Sequence, residues 1–185
     1  MKKLCFLAAF CLLFSWTQVA AQNSAARAEI SFSFERLSGF SSNQFAVWIE
    51  DGKGDLVKTL FATKFTASGG WKKRASSIPL WVNKSGLAGL DKKDIDAFTG
   101  ATPRAGELSY RWDGTDKKGV RMPPGDYRVV LEATLREDDR VIYSAFFTLG
   151  SGTGGAVEAE VRTHYFGSKT YERRMTGNVR ILYRP

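Results

Sequence analysis

The sequence predicts an all-β protein, an antiparallel β-sandwich interrupted by one long, partly helical connection. Three observations carry that prediction. Apolar residues alternate with polar ones over several short stretches, the period of a half-buried strand. Turn-forming Gly, Asp and Pro separate those stretches. Helical periodicity is confined to one region in the middle of the chain.

Residues 30–34 alternate Ile30, Phe32 and Phe34 with Ser31 and Ser33 and read as the first strand. Residues 44–49 place Phe45, Val47 and Ile49 on one face and Ala46 and Trp48 on the other. Asp51-Gly52-Lys53-Gly54-Asp55 supplies the hairpin turn that returns the chain as a strand over residues 56–62. From 66 to 106 the alternation stops. Gly, Ser and Lys dominate there, with an apolar insert at residues 78–82 and a helical turn over 91–97. So long a connection inside a compact domain is usually functional or disordered. Residues 107–112 and 125–136 read as strands, the second with Tyr127, Val129, Leu131 and Ala133 on one face. Glu137-Asp138-Asp139 turns the chain and residues 141–149 pair back. Residues 157–165 read as one further two-faced strand, and residues 179–183 close the fold. Seven or eight strands with turns between them are the content of a sandwich. The Gly-rich segment 150–155 has the composition of a phosphate loop but joins two strands with no helix behind it, so it reads as a linker.

Lys2 and Lys3 precede an apolar run over residues 4–16, and Val19-Ala20-Ala21 offers a cleavage site, the order of a secretory signal peptide. The expected mature chain is a single periplasmic domain, residues 22–185. Lipoprotein processing at Cys11 is the alternative, with Ala9-Phe10 a poor match before it. No later segment reaches the roughly 20 apolar residues of a membrane span. Both cysteines, Cys5 and Cys11, lie in the signal, so the mature chain is expected to have no disulfide, thiolate nucleophile or Cys metal site. Removal of residues 1–21 takes two of the 27 basic residues and none of the 19 acidic ones, leaving +6. In an exported protein that surplus points to anionic surfaces, acidic partners or bound phosphate and away from nucleic acid. Trp71-Lys72-Lys73-Arg74 is the densest basic cluster. It reads as a solvated loop, or as a contact for a phosphate or a partner.

Hydrolytic chemistry finds little support. His164 is the only histidine, and no serine lies in a nucleophile elbow. Glu158 and Glu160 share one face of a strand and read as solvated, and metal ligands are scarce.

The most informative segment is Asp96-Ala97-Phe98-Thr99-Gly100-Ala101-Thr102. A hydroxyl at its end, preceded by two residues with almost no side chain, makes a peptide that can enter a foreign active site. Read structurally, the same residues are a helix end, with Gly100 at the stop and Pro103 beyond it. The segment resembles the acceptor sequence of flavin transferases, in which the last Thr or Ser takes FMN from FAD through a phosphoester. That resemblance implies covalent FMN on Thr102, with Asp96, Thr99, Gly100 and Ala101 as recognition residues and a Mg²⁺-dependent periplasmic flavin transferase as a partner. The isoalloxazine would carry the redox chemistry while the protein supplies attachment and orientation. Trp71, Trp81, Phe98, Tyr110 and Trp112 are candidates to cover the ring.

Two further resemblances concern the rest of the chain. Trp112-Asp113-Gly114-Thr115-Asp116-Lys117-Lys118-Gly119, with Pro123-Pro124-Gly125-Asp126-Tyr127, looks like the immunoglobulin-like module of flagellar hook-capping proteins and related bacterial surface proteins. It implies that the sandwich is immunoglobulin-like, with Trp112 packed inside and two tight turns. Calcium on Asp113 and Asp116 is a lesser reading. The segment 43–51, Lys58-Thr59-Leu60-Phe61 and the Trp-Asp-Gly element together resemble an uncharacterised family of bacterial periplasmic proteins. Members of that family often accompany flavin transferases and PepSY-type membrane proteins, which implies extracytoplasmic electron transfer with a membrane reductase. The expected function is therefore that of an electron carrier or accessory protein. The alternative is a non-redox binding or scaffold module in which Thr102 is a loop residue.

Overall fold

The computed structural model describes residues 27–38, 42–136, 138–150, 154–167 and 175–184. The signal-peptide reading of residues 1–21 lies outside them. Ten strands are present among the described residues: β1 (Ala28–Phe34), β2 (Gln44–Asp51), β3 (Leu56–Thr63), β4 (Thr99–Gly100), β5 (Gly106–Trp112), β6 (Gly125–Arg136), β7 (Asp139–Leu149), β8 (Val157–Ala159), β9 (Arg162–Phe166) and β10 (Thr176–Tyr183). They form a four-stranded sheet in the order β5-β1-β10-β8 and a six-stranded sheet in the order β4-β3-β2-β6-β7-β9. The described pairings are antiparallel except that of β4 with β3. The predicted all-β sandwich is the observed architecture.

The alternation sets which side chains enter the interior. In β1, Ala28, Ile30, Phe32 and Phe34 are buried while the residues between them are partly exposed. They meet Phe45, Val47 and Ile49 of β2 and Val129, Leu131 and Ala133 of β6 across the sandwich. Each fully buried large apolar side chain contributes about 1.5–3 kcal/mol, so this layer holds the two sheets together. Trp112 closes one end: its ring lies 5.2 Å from that of Tyr127, and its Nε1 donates to the Thr115 carbonyl at 2.7 Å. The Tyr127 hydroxyl donates to the Pro123 carbonyl at 2.6 Å. The carboxylates of Asp113 and Asp116 are engaged within this corner, Asp113 by Lys58 and Thr115 and Asp116 by the backbone N–H groups of Lys118 and Val120. Their roles here are structural, which leaves the calcium reading without support.

Three local expectations are corrected. Residues 157–165 are two strands rather than one. β8 pairs with β10 in the four-stranded sheet and β9 pairs with β7 in the six-stranded sheet, so the chain changes sheets at Glu160 and Val161. Alternation continues across such a crossing because both halves are strands, which is why periodicity alone cannot show the break. Trp71 to Arg74 is not a plain loop: a π-type turn, Thr66–Gly70, runs into a single helical turn, α1 (Trp71–Lys73). The apolar insert at 78–82 opens a helix, α2 (Pro79–Ser85), with Pro79 in the first turn where its missing N–H is tolerated. A short 3₁₀ turn, Leu87–Gly89, leads on to α3 (Lys92–Phe98), close to the predicted helical turn.

This insertion lies on the outer face of the six-stranded sheet and builds a second core. Ala46, Trp48 and Val130 from the sheet are buried with Ala67, Ile78, Trp81 and Leu87 from the insertion. Polar side chains on the same face tie it down. Glu132 accepts the N–H groups of Leu80 and Trp81 at 3.2 and 2.8 Å and an Arg140 N–H at 3.0 Å. Thr134 Oγ1 accepts the Ile78 N–H at 2.8 Å and donates to the Ser76 carbonyl. Gln44 Oε1 accepts from the Thr63 and Thr66 hydroxyls. Glu50, fully buried, accepts from the Trp48 indole and pairs with Lys84 and Arg128. Ile78 sits at φ 42° with no exposure, a left-handed conformation that a β-branched residue holds only when its surroundings impose it.

Candidate functional site

The Asp96–Thr102 segment comprises the last three residues of α3, the two residues of β4 and the start of the link to β5. Helix α3 rests lightly on the body. Ile95 and Phe98 are its partly buried side chains, and the remaining helical residues are exposed. Phe98 meets Trp81 edge to face at 5.8 Å. Asp96 is exposed and accepts a hydrogen bond from Lys92 at 2.8 Å, one turn back. That bond holds the Asp96 carboxyl below the ordinary carboxylate range, and the nearby charge of Lys64 acts in the same direction.

Thr99 and Gly100 leave the helix as extended chain and pair in parallel with Ala62 and Thr63. Gly100 is therefore not a helix-terminating residue with positive φ. Its need is steric: a Cβ there would stand 2.7 Å from Phe61 Cε2, and Phe61 is fixed by stacking on Tyr110 at 5.0 Å and packing on Phe45 at 5.1 Å. Gly100→Ala is expected to cost about 1–3 kcal/mol through overpacking and to loosen β4 from β3. Urea denaturation, with hydrogen exchange at Thr99 and Gly100, measures both effects. An Ala variant as stable as the wild type would show that Phe61 gives way.

Beyond Gly100 the chain at 101–105 belongs to no helix or strand. Ala101 is exposed and Thr102 is half-buried. The Thr102 hydroxyl has no hydrogen-bond partner among the described residues. The structure thus brings Asp96, Thr99, Gly100, Ala101 and Thr102 together as one accessible strip at the margin of the six-stranded sheet.

Two concave surfaces flank α3. One, of about 520 Å³, is lined by Lys64, Trp71, Lys72, Lys92, Ile95 and Asp96, with Leu87 and Leu90 at its apolar wall. The other, of about 450 Å³, is lined by Lys58, Lys117, Lys118, Asp94, Ala97 and Phe98. Of the five aromatic residues named as possible ring covers, Trp81 and Trp112 have no exposed surface and belong to the cores. Tyr110 is stacked between Phe61 and Phe32, and burial pushes its hydroxyl pKa upward. Trp71 and Phe98 remain, one on each cleft. Lys64 and Lys92 did not stand out in the sequence as site residues. The signal that marks them is spatial, since the first cleft is assembled from two separate stretches of chain, 64–72 and 87–96.

The comparisons with known proteins come down to one family. DUF2271, a family described as predicted periplasmic protein, matches residues 27–165. The chain belongs to the DUF2271 family. The DUF2271 match runs from β1 into β9 and includes the helical insertion, α3 and the acceptor-like segment. As a DUF2271 member the protein is periplasmic, the compartment expected from the sequence. Among the described residues no helix is long and apolar enough to cross a membrane. No curated protein and no solved structure matches the chain.

Proposed function

We propose that this DUF2271 protein is a periplasmic electron carrier bearing FMN covalently on Thr102. The observation that carries the reading is the accessible strip from Asp96 to Thr102. It joins the acceptor-like sequence to a thin helix, an exposed approach and a Thr102 hydroxyl that has no hydrogen-bond partner among the described residues. In the proposed modification Thr102 Oγ1 attacks the flavin-side phosphorus of FAD. A P–O bond to Thr102 forms, the pyrophosphate bond breaks, AMP leaves, and the hydroxyl proton passes to a base of the transferase. Asp96, Thr99, Gly100 and Ala101 present the peptide. The exposed α3, held by two apolar side chains, can lift locally to enter the transferase at small cost. Once bound, the isoalloxazine supplies one- and two-electron exchange. The chain keeps it from diffusing away and presents it to a membrane reductase of the PepSY type on one side and an acceptor on the other.

Intact mass after co-expression with a flavin transferase tests this reading. The expected result is a gain of one FMN less one water on the exported chain. No gain, with the transferase active on a control substrate, would sink the flavin reading.

A non-redox docking module is the second reading, and the outer face of β7 and β9 favours it. Phe146 is half-exposed between Arg128 and Arg162, at 5.3 and 5.6 Å. Such a basic and aromatic face suits an acidic protein surface. It is compatible with an electron carrier as well, since a carrier must also dock.

A further inference from the structure

We infer that the cleft between the π-type turn and α3 is the seat of the flavin ring, with Trp71 as its stacking face and Lys64, Lys72 and Lys92 as its anion contacts. The inference rests on the proposed attachment at Thr102 and adds to it where the ring goes.

Chain direction selects this cleft over the one that contains Phe98. β4 runs parallel to β3 with Thr99 beside Ala62 and Gly100 beside Thr63. Ala101 and Thr102 therefore continue toward the end of β3 from which Lys64 departs, and Lys64 lines the Trp71 cleft. The second groove contains Lys58 and Thr59, five or more residues back along β3. That groove reaches Phe98 beside β4, but its β3 wall lies behind Ala62, on the side away from Ala101 and Thr102.

The chemistry of the walls fits the same ligand. Trp71 is half-buried and offers a flat apolar surface, with Lys72 Nζ 5.5 Å from its ring centroid. Leu87, Leu90 and Ile95 supply the apolar remainder. A flavin nucleotide combines a broad planar ring with anionic phosphate, the combination that an aromatic wall and three ammonium groups recognise. Asp96 on the same cleft pairs with Lys92, and the two remaining charges of Lys64 and Lys72 leave the cleft basic. The basic run Lys72-Lys73-Arg74 thus has a defined place: Lys72 faces the cleft and Arg74 lies over Phe65 at 5.7 Å.

The test separates the seat from the attachment. The full mature chain carrying Thr102→Ala, which cannot be modified, is titrated with FMN and with riboflavin while flavin emission is followed. Saturable quenching is expected, and adding Trp71→Leu should weaken it about five- to tenfold, the worth of one aromatic stack. Trp71 touches the second core, so a pair of exposed substitutions, Lys72→Gln with Lys92→Gln, provides an independent probe. It should weaken FMN several-fold and leave riboflavin unchanged. No saturable quenching of FMN, or binding equal in the Trp71→Leu and parent proteins, overturns the seat whatever the mass of the transferase-treated wild type shows. If the mass gain is absent but Trp71-dependent binding is present, the attachment fails and the seat stands.

Discussion

Glu132→Ala is expected to destabilise the protein by about 3–5 kcal/mol, the usual cost of removing one member of a buried ion pair. Glu132 is fully buried and bonds Leu80 N–H, Trp81 N–H and Arg140. Alanine would leave two backbone donors and a guanidinium without an acceptor under the insertion. The same change would release Ile78, held left-handed immediately before α2. Glu132→Gln keeps one acceptor oxygen and should cost less than half as much. Denaturant midpoints of the three proteins measure the effect, and hydrogen exchange at Leu80 and Trp81 should report it most strongly. A loss below about 1 kcal/mol for Glu132→Ala, the range of an exposed pair, would mean that the insertion is held by its apolar contacts alone.

The same residue gives a pH dependence. Burial pushes the Glu132 pKa up, against the pull of its two backbone donors and Arg140. The folded state then holds this proton more tightly than the unfolded chain does. Its contribution to stability is greatest below the unfolded pKa and falls as pH rises through the folded one. The stability difference between wild type and Glu132→Gln should therefore shift against the wild type as pH rises from the unfolded carboxyl value of 4.5. A difference that is flat with pH in that window would show that Glu132 is ionised equally in both states.

The other large effect is on modification. Thr102→Ala should abolish FMN attachment, because no other residue of the segment offers a hydroxyl at its end, and Thr102→Ser should retain it. Asp96→Ala should slow attachment while leaving stability near the wild-type value, since Asp96 is exposed and its ion pair with Lys92 is an exposed one. Absorbance of the purified proteins in the flavin bands, read beside their denaturation midpoints, separates lost chemistry from lost folding. A Thr102→Ala protein that keeps its flavin colour through denaturation and removal of unbound flavin would move the acceptor elsewhere.

What the sequence made legible was whatever depends on neighbours along the chain. The alternation in β1 and β6, the hairpin at Asp51 to Asp55, the packing of Trp112 and the helix before the acceptor segment all follow local rules. Burial of the second face was not legible. Glu132 and Thr134 alternate with the apolar face of β6 and Glu50 follows the apolar stretch of β2, and the insertion laid across them makes them interior. Their partners in the insertion lie more than 30 residues away, as Lys84 does from Glu50 and Trp81 does from Glu132. Gly100 shows the same limit on a smaller scale. It looked like a helix stop, but the residue that demands a glycine is Phe61 on the neighbouring strand. For the site, the acceptor strip was visible as a motif. The Trp71 cleft was not, because Lys64, Trp71 and Lys92 converge only after folding.

The most direct measurement is tandem mass spectrometry of the tryptic peptide 94–104 from chain produced with a flavin transferase. Thr99 and Thr102 are its only hydroxyl residues, so the fragment series assigns the modification to one or the other. The account predicts one FMN less one water on Thr102. An unmodified peptide, or FMN on Thr99, would contradict it.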